Sequence, residues 1–149
     1  MHLTKGIELE LNGSLYPGWT IGGTASLMDN EFTEENDANK GLSFNGSVDK
    51  QASLYSSYQV QQGKLKGLAI GGTFVYMGER NYIIENAQVY ADGYNRLDLN
   101  ISYQGLASWD INFLVRNITN ETYLSGVYTS DAFRGAPHSV LFQATYNFD

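Results

Sequence analysis

The chain lacks cysteine and has very little proline. None of its 149 residues is Cys and only two are Pro. The absence of Cys excludes disulfides and thiolate metal sites, although it leaves the redox compartment undetermined. Long apolar runs are absent as well, because no stretch approaches the roughly 18 consecutive apolar residues of a spanning helix. If the chain crosses a membrane, it must therefore cross as strands.

Positive charge is also scarce. Nine Lys and Arg stand against sixteen Asp and Glu, which gives a formal net charge of −7. This balance disfavours nucleic acid as a partner, because a phosphate backbone must be neutralised by basic side chains. His2 and His138 are far apart and no nucleophile arrangement accompanies them, while Glu8 and Glu10 lack an opposed carboxylate. The acidic first long connection does not match an EF-hand loop. The sequence therefore predicts neither an enzyme nor a cofactor or metal site.

Glycine and aromatic residues are abundant. The chain has sixteen Gly, eleven Tyr and seven Phe, a composition that favours an aromatic-rich β protein over a helical one. In residues 139–148 an apolar side chain occupies every second position, and the segment ends on an aromatic pair. A membrane strand needs about 9–11 residues with aromatics at the lipid interface. This segment therefore indicates an outer-membrane barrel strand.

The same alternation recurs along the chain. Seven segments carry it, at residues 7–15, 19–28, 48–60, 68–76, 96–103, 109–116 and 139–148. The connections between them are short, long, short, long, short and long, as in outer-membrane barrels. We therefore predict an all-β fold, an antiparallel up-and-down meander of about seven long strands that forms a segment of a transmembrane β-barrel.

Other β architectures share this periodicity. Soluble sandwiches and ligand-binding barrels also alternate apolar and polar residues along their strands. A small closed barrel of about eight strands, in a membrane or soluble, that binds a small ligand therefore stays open as an alternative. A structural or adhesive surface module is a third reading.

Four motifs in the chain resemble one known family. Residues 5–10 (KGIELE), followed by a Pro-Gly-Trp turn, look like the Gly-x-Glu-x-Glu strand in the late barrel of TonB-dependent outer-membrane receptors. Residues 93–99 (GYNRLDL) and 115–123 (VRNITNETY) are similar to two further signatures of that family. Residues 134–138 (RGAPH) resemble its Gly-x-Pro-Arg element, with His138 in place of Arg. The order and spacing of the motifs match the family, closest to its siderophore receptors.

The resemblance implies a larger protein. Receptors of this family are 22-stranded barrels with a plugged lumen, so we expect residues 1–149 to be one barrel segment, the C-terminal third of such a receptor without its plug. Residues 1–5 do not form a secretory signal. The implied partners are a ferric siderophore, the TonB complex through the missing N-terminal part, outer-membrane lipid and the barrel-assembly machinery. The implied location is the outer membrane of a Gram-negative-type bacterium. The open strand edges of the isolated segment leave three outcomes open, which are closure within one chain, self-association between chains and rearrangement into a compact soluble fold.

The resemblance also implies site residues. Siderophore receptors bind chelated iron through aromatic and cationic side chains near the outer mouth, and Arg and Tyr suit anionic chelates with flat rings. The candidates in that zone are Arg80, Tyr82, Tyr90, Tyr94, Tyr123, Tyr128, Phe133 and Arg134. The aromatic residues expected to form the C-terminal assembly signal are Phe142, Tyr146 and Phe148.

Overall fold

The computed structural model describes residues 1–34, 38–85, 87–128 and 131–148, apart from the side chain of Tyr128. All regular structure in these residues is β-strand. No helix among them is long and apolar enough to cross a membrane. The predicted all-β class is confirmed.

Eleven strands follow one another along the chain. They are β1 His2–Tyr16, β2 Trp19–Phe32, β3 Lys50–Gln59, β4 Leu68–Met77, β5 Arg80–Ile84, β6 Ala87–Ala91, β7 Tyr94–Leu106, β8 Trp109–Arg116, β9 Leu124–Tyr128, β10 Asp131–Arg134 and β11 Ser139–Tyr146. Seven of them form one antiparallel sheet in the order β1-β2-β3-β4-β7-β8-β11, while β5–β6 and β9–β10 are separate hairpins. The predicted meander of seven strands is therefore confirmed.

The register of the sheet places the apolar residues on one face. One cross-strand row runs from Tyr58 through Ile70, Ile101 and Phe113 to Phe142. Side chains that face each other directly across a ladder share a face. This row and the neighbouring rows on the same face form a continuous apolar band, which also includes Leu9, Leu54 and Val140. Ile70 is 49% exposed and Phe142 is 63% exposed. No part of the described chain covers this band, which is the arrangement expected of a surface in contact with lipid.

The opposite face of the sheet is polar. A second cross-strand row joins Gly22, Tyr55, Thr73 and Asp98. The hydroxyl of Tyr55 donates a hydrogen bond of 3.0 Å to Oδ1 of Asn12 across Gly22. A Cβ at Gly22 would overlap the Tyr55 ring, so this close approach of ring to backbone requires glycine.

Tight turns close one end of the sheet. Gly18 follows Pro17 between β1 and β2 with a φ of 84°, in the left-handed region that favours glycine. The turns before β4 and between β7 and β8 lie at the same end, because adjacent strands are antiparallel. All three long connections consequently emerge from the other end.

The structure differs from the sequence prediction in several strand ends and in the long connections. Strand β1 begins at His2 rather than at residue 7, and β2 continues to Phe32 rather than ending at residue 28. The second and third long connections were predicted as loops, but each contains a two-stranded hairpin. These strands have only four or five residues, too few to show a clear period of two. The last strand ends at Tyr146 rather than Phe148, because its partner β8 begins at Trp109 and Tyr146 is the residue opposite it.

Candidate functional site: the mouth formed by three long connections

The long connections at the open end of the sheet form the candidate site, which we call the mouth. It consists of the first connection, residues 33–49, the second, residues 78–93, and the third, residues 117–138. Buried side chains are rare in the sheet itself, and Tyr82, Asn81 and Asn117 in these connections are at most 5% exposed. The mouth is thus held by its own small core.

Asn81 joins the second connection to the first. Its side-chain amide donates to Asp49 Oδ1 at 3.1 Å and to Ser47 Oγ at 3.3 Å. Its backbone N–H donates to Ser47 O at 2.9 Å, and its carbonyl accepts from Gly46 N–H at 2.8 Å. Ile83 N–H adds a bond of 2.5 Å to Asn45 Oδ1. The 3% exposed Asn81 therefore has bonds from both backbone and side chain to the neighbouring connection.

The second connection also contacts the third. The hydroxyl of Tyr82 accepts a hydrogen bond of 3.1 Å from Val127 N–H. The guanidinium of Arg80 donates from Nη1 to the carbonyl of Ser125. Hairpin β5–β6 is consequently bonded to the connection on each side of it.

Asn117 fixes the base of the third connection. It is 1% exposed and has a φ of 51°. Its amide nitrogen donates to Glu121 O at 2.9 Å and Ala136 O at 3.1 Å, and its Oδ1 accepts from Glu121 N–H at 2.8 Å. Its backbone N–H donates to Asp98 Oδ1 at 2.9 Å, and its carbonyl lies 3.2 Å from Nδ1 of His138. The side chain thus joins the two ends of the third connection to each other, and the backbone N–H of Asn117 ties this base to β7 through Asp98.

Tyr123 packs beside this base. Its ring stacks on Tyr94 with centroids 4.0 Å apart and an interplanar angle of 23°. The side chain of Arg96 lies beside Tyr123, and Arg96 Nη2 is 3.2 Å from Asp98 Oδ2. A Cβ at Gly135 would overlap the Tyr123 ring. The third connection can therefore approach this ring so closely only with glycine at position 135.

The sequence-predicted ligand residues fall into two groups. Tyr82 at 5% exposure and Tyr123 at 9% are buried, and Tyr94 and Arg80 are half-buried. Tyr90 at 61% and Phe133 at 56% are exposed, as is Arg134. The side chain of Tyr128 lies outside the described residues. Among the candidates whose side chains are described, the exposed group presents ring faces and a cationic head to solvent.

Sequence reasoning missed three residues that organise the mouth, Asn81, Arg96 and Asn117. Asn81 and Asn117 carry no local signal, because an Asn in a polar connection is ordinarily solvated. The side-chain partners of Asn81 lie 32 and 34 residues away in sequence, and Asn117 bonds Ala136, 19 residues away, as well as the nearby Glu121. Only membership of a family signature, residues 115–123, could have drawn attention to Asn117.

The exposed side chains of the mouth are aromatic and cationic. Tyr90 and Phe133 offer aromatic faces and Arg134 offers a planar donor for carboxylate or catecholate-like oxygens. In the part of the chain that the structure describes, no group of three or more His, Asp or Glu side chains is arranged to hold a metal ion directly.

Comparison with known proteins identifies the fold family. The family model described as TonB dependent receptor-like, beta-barrel matches residues 3–118. The chain belongs to this family. It is 30% identical over 155 residues to the ferripyoverdine receptor of Pseudomonas aeruginosa, with 97% of this chain and 18% of that protein covered. It is 25% identical to the ferrichrome outer membrane transporter/phage receptor of Escherichia coli, with 97% of this chain and 20% of that protein covered.

Solved structures of TonB-dependent receptor barrels have the same fold. The ferripyoverdine receptor of the outer membrane of P. aeruginosa, bound to ferripyoverdine, superposes with a TM-score of 0.82 at 26% identity over 97% of this chain and 19% of that chain. The ferric preacinetobactin receptor from Acinetobacter baumannii superposes with the same TM-score of 0.82 at 23% identity, over 99% of this chain and 22% of that chain. The chain therefore spans about a fifth of the length of these relatives and aligns with their barrel part. The resemblance seen in the sequence motifs is confirmed.

Proposed function

We propose that this chain is part of an outer-membrane receptor for the TonB-dependent uptake of ferric siderophores. The observation that carries the proposal is the two-faced sheet, apolar on one side and polar on the other, with three bonded connections at one end. Both curated relatives described above are named for ferric siderophores. The receptor would lie in the outer membrane with the apolar band against lipid and the mouth outside.

Within the mouth, we assign direct ligand contact to the exposed Tyr90, Phe133 and Arg134. Two ring faces and one guanidinium suit a chelate that presents flat, delocalised groups and negative charge. Tyr94 and Tyr123 would act indirectly, since their rings stack on each other and Tyr123 is bonded to Gly135 of the third connection. Tyr128 stays a candidate on sequence grounds alone.

The remaining partners belong to the whole receptor. Coupling to TonB would require the plug part, and the polar face of this sheet would line the lumen around it. Phe142, Tyr146 and Phe148 would be read by the barrel-assembly machinery. Tyr146 supports this role by linking two neighbours, with ring centroids 5.0 Å from Trp109 and 4.7 Å from Phe148.

A segment exchange tests the proposal. The chain replaces the matched part of the P. aeruginosa ferripyoverdine receptor, with which it aligns over 97% of its length. Uptake of radioactive iron is measured for a panel of ferric hydroxamate, catecholate and mixed chelates, with and without TonB. We expect TonB-dependent uptake of at least one chelate.

A triple variant shows whether this segment takes part. Tyr90→Ala, Phe133→Ala and Arg134→Ala together should weaken chelate binding at least about tenfold, since ring and charged contacts each contribute about 0.5–2 kcal/mol. The matched control replaces three exposed residues of the apolar band, Leu9→Ala, Leu54→Ala and Val140→Ala. A receptor that is inserted and folded but binds every chelate equally well with and without the triple change would overturn the proposal.

A further inference from the structure

Strand β9 has one edge that no strand covers. It pairs with β10 on its other side, and in the described residues the two form an isolated hairpin. On the uncovered edge, Val127 presents its N–H and Ser125 its carbonyl. An unpaired strand edge has free backbone donors and acceptors, and burying these groups without partners destabilises the fold.

Two side chains of β5 pair with that edge. Arg80 and Tyr82 are two residues apart on β5, so they point to the same side of the strand. Ser125 and Val127 are two residues apart on β9 and match this spacing. The guanidinium donates to the Ser125 carbonyl, and the tyrosine hydroxyl accepts from Val127 N–H. The Arg80 donor thus pairs with the backbone acceptor of Ser125, and the Tyr82 acceptor pairs with the backbone donor of Val127.

The Tyr82 contact is partly buried, whereas the Arg80 contact lies at the surface. Tyr82 is 5% exposed and Arg80 is half-buried. Between them, Asn81 points to the other side and binds the first connection through Ser47 and Asp49. Three consecutive residues of β5 therefore hold both neighbouring connections, one on each side.

We propose that Arg80 and Tyr82 form a clamp that fixes hairpin β9–β10 against hairpin β5–β6 and thereby positions the ligand-binding side chains of the mouth. The clamp bears on binding because Tyr90 lies on one hairpin and Phe133 on the other. A rigid chelate can contact both rings only when the separation of the two hairpins is fixed, and a free hairpin would have to be ordered at the moment of binding. Arg80 and Tyr82 are thus positioning residues, and their link to siderophore binding rests on the function proposed above.

A distance measurement tests the clamp without any ligand. The chain has no cysteine of its own. Spin labels can therefore be attached at two introduced cysteines, Ala87→Cys on one hairpin and Ala132→Cys on the other, and both positions are exposed. Pulsed electron resonance then gives the distribution of distances between them in the whole receptor. We expect Arg80→Met with Tyr82→Phe to broaden this distribution at least about twofold. The control Tyr76→Phe, on the apolar face of β4, should leave it unchanged.

A distribution that keeps its width in the double variant would overturn the clamp. Amide exchange provides a second measurement, because Val127 N–H loses its acceptor in Tyr82→Phe and should exchange about fivefold faster, the effect of one lost hydrogen bond. Unchanged exchange in the segment 124–128 would count against the proposal in the same way.

Binding measurements then test positioning. We expect the double variant to bind the receptor's ferric chelate about tenfold more weakly, with the amount of folded receptor in the outer membrane unchanged. When Arg80→Lys replaces Arg80→Met beside Tyr82→Phe, part of the affinity should return, because lysine keeps one donor for Ser125 O. A broadened distance distribution with unchanged affinity would overturn positioning. If the unaltered receptor binds no ferric chelate, the proposed function fails, while the distance measurement still decides the clamp.

Discussion

Asn117 is a polar residue that the third connection uses as its core. Its side chain satisfies two carbonyls and one N–H, and its φ is 51°. Asn tolerates this left-handed conformation better than most residues. Two requirements therefore favour Asn at this position. The residue must adopt a positive φ, and its side chain must supply both a donor and an acceptor.

Replacing Asn117 tests both demands. Asn117→Ala should lower the free energy of unfolding by about 3 kcal/mol, because three partly buried backbone groups lose their partners at about 1 kcal/mol each. Asn117→Gly should lose about 1 kcal/mol less, since glycine adopts a positive φ without strain. Guanidinium titration of the receptor in detergent measures both. The control is Asn95→Ala, an exposed position, expected to change stability by less than about 0.5 kcal/mol. A loss below 1 kcal/mol for Asn117→Ala would contradict this role.

Gly135 faces the ring of Tyr123 so closely that no side chain fits between them. We predict that Gly135→Ala costs about 2 kcal/mol of stability through overpacking and displaces Tyr123 from its stack on Tyr94. In a Tyr123→Ala background the same change should cost almost nothing, so a double-mutant cycle on unfolding free energies isolates the contact.

The matched control for that cycle is Gly126→Ala in the same connection. No described atom lies within 4 Å of the place that a Cβ would take there. Equal costs for Gly135→Ala and Gly126→Ala would show that the Tyr123 ring does not set the path of the connection.

At the scale of the strands, the two faces of the sheet should respond differently to charge. Phe113 lies opposite Ile101 and Phe142 in the apolar band, so Phe113→Arg should destabilise the receptor in a bilayer by about 2–4 kcal/mol. Asn100→Arg, on the polar face of the neighbouring strand, should cost less than about 1 kcal/mol. Unfolding from lipid vesicles compares them. Similar losses for both variants would mean that the band does not face lipid.

The strands also show how far sequence reasoning reaches. Period-two alternation between turn residues predicted residues 109–116 and 68–76, and the structure has Trp109–Arg116 and Leu68–Met77. This succeeded because one face of each strand meets a single environment along its whole length. Hairpins β5–β6 and β9–β10 escaped prediction because each is held by side chains from other connections, as Tyr82 holds β9. Such contacts join residues distant in sequence, and no local pattern encodes them.

At the scale of the whole molecule, the seven-stranded sheet has two outer edges and one uncovered face. In the described residues β1 and β11 are the terminal strands of the sheet, and no ladder joins them to each other. Unpaired backbone groups in hydrocarbon cost several kcal/mol each. The apolar band adds exposed rings and aliphatic side chains such as Phe142 and Leu9, far beyond the scattered apolar residues of an ordinary soluble surface. The sheet therefore needs cover along its edges and over one face.

Light scattering on the separately expressed chain, with and without detergent, measures this need. We expect a β-rich species that stays dispersed only with detergent and contains more than one chain, because pairing of β1 or β11 between copies satisfies the edges and detergent covers the band. A second sample carrying Phe113→Arg in the apolar band should need less detergent but should still associate through the edges of β1 and β11. This comparison separates the effect of the apolar band from that of the unpaired edges. A detergent-free β-rich monomer would instead mean that the strands repack so as to bury the apolar band within one chain, and the membrane-facing assignment of that band would then be wrong.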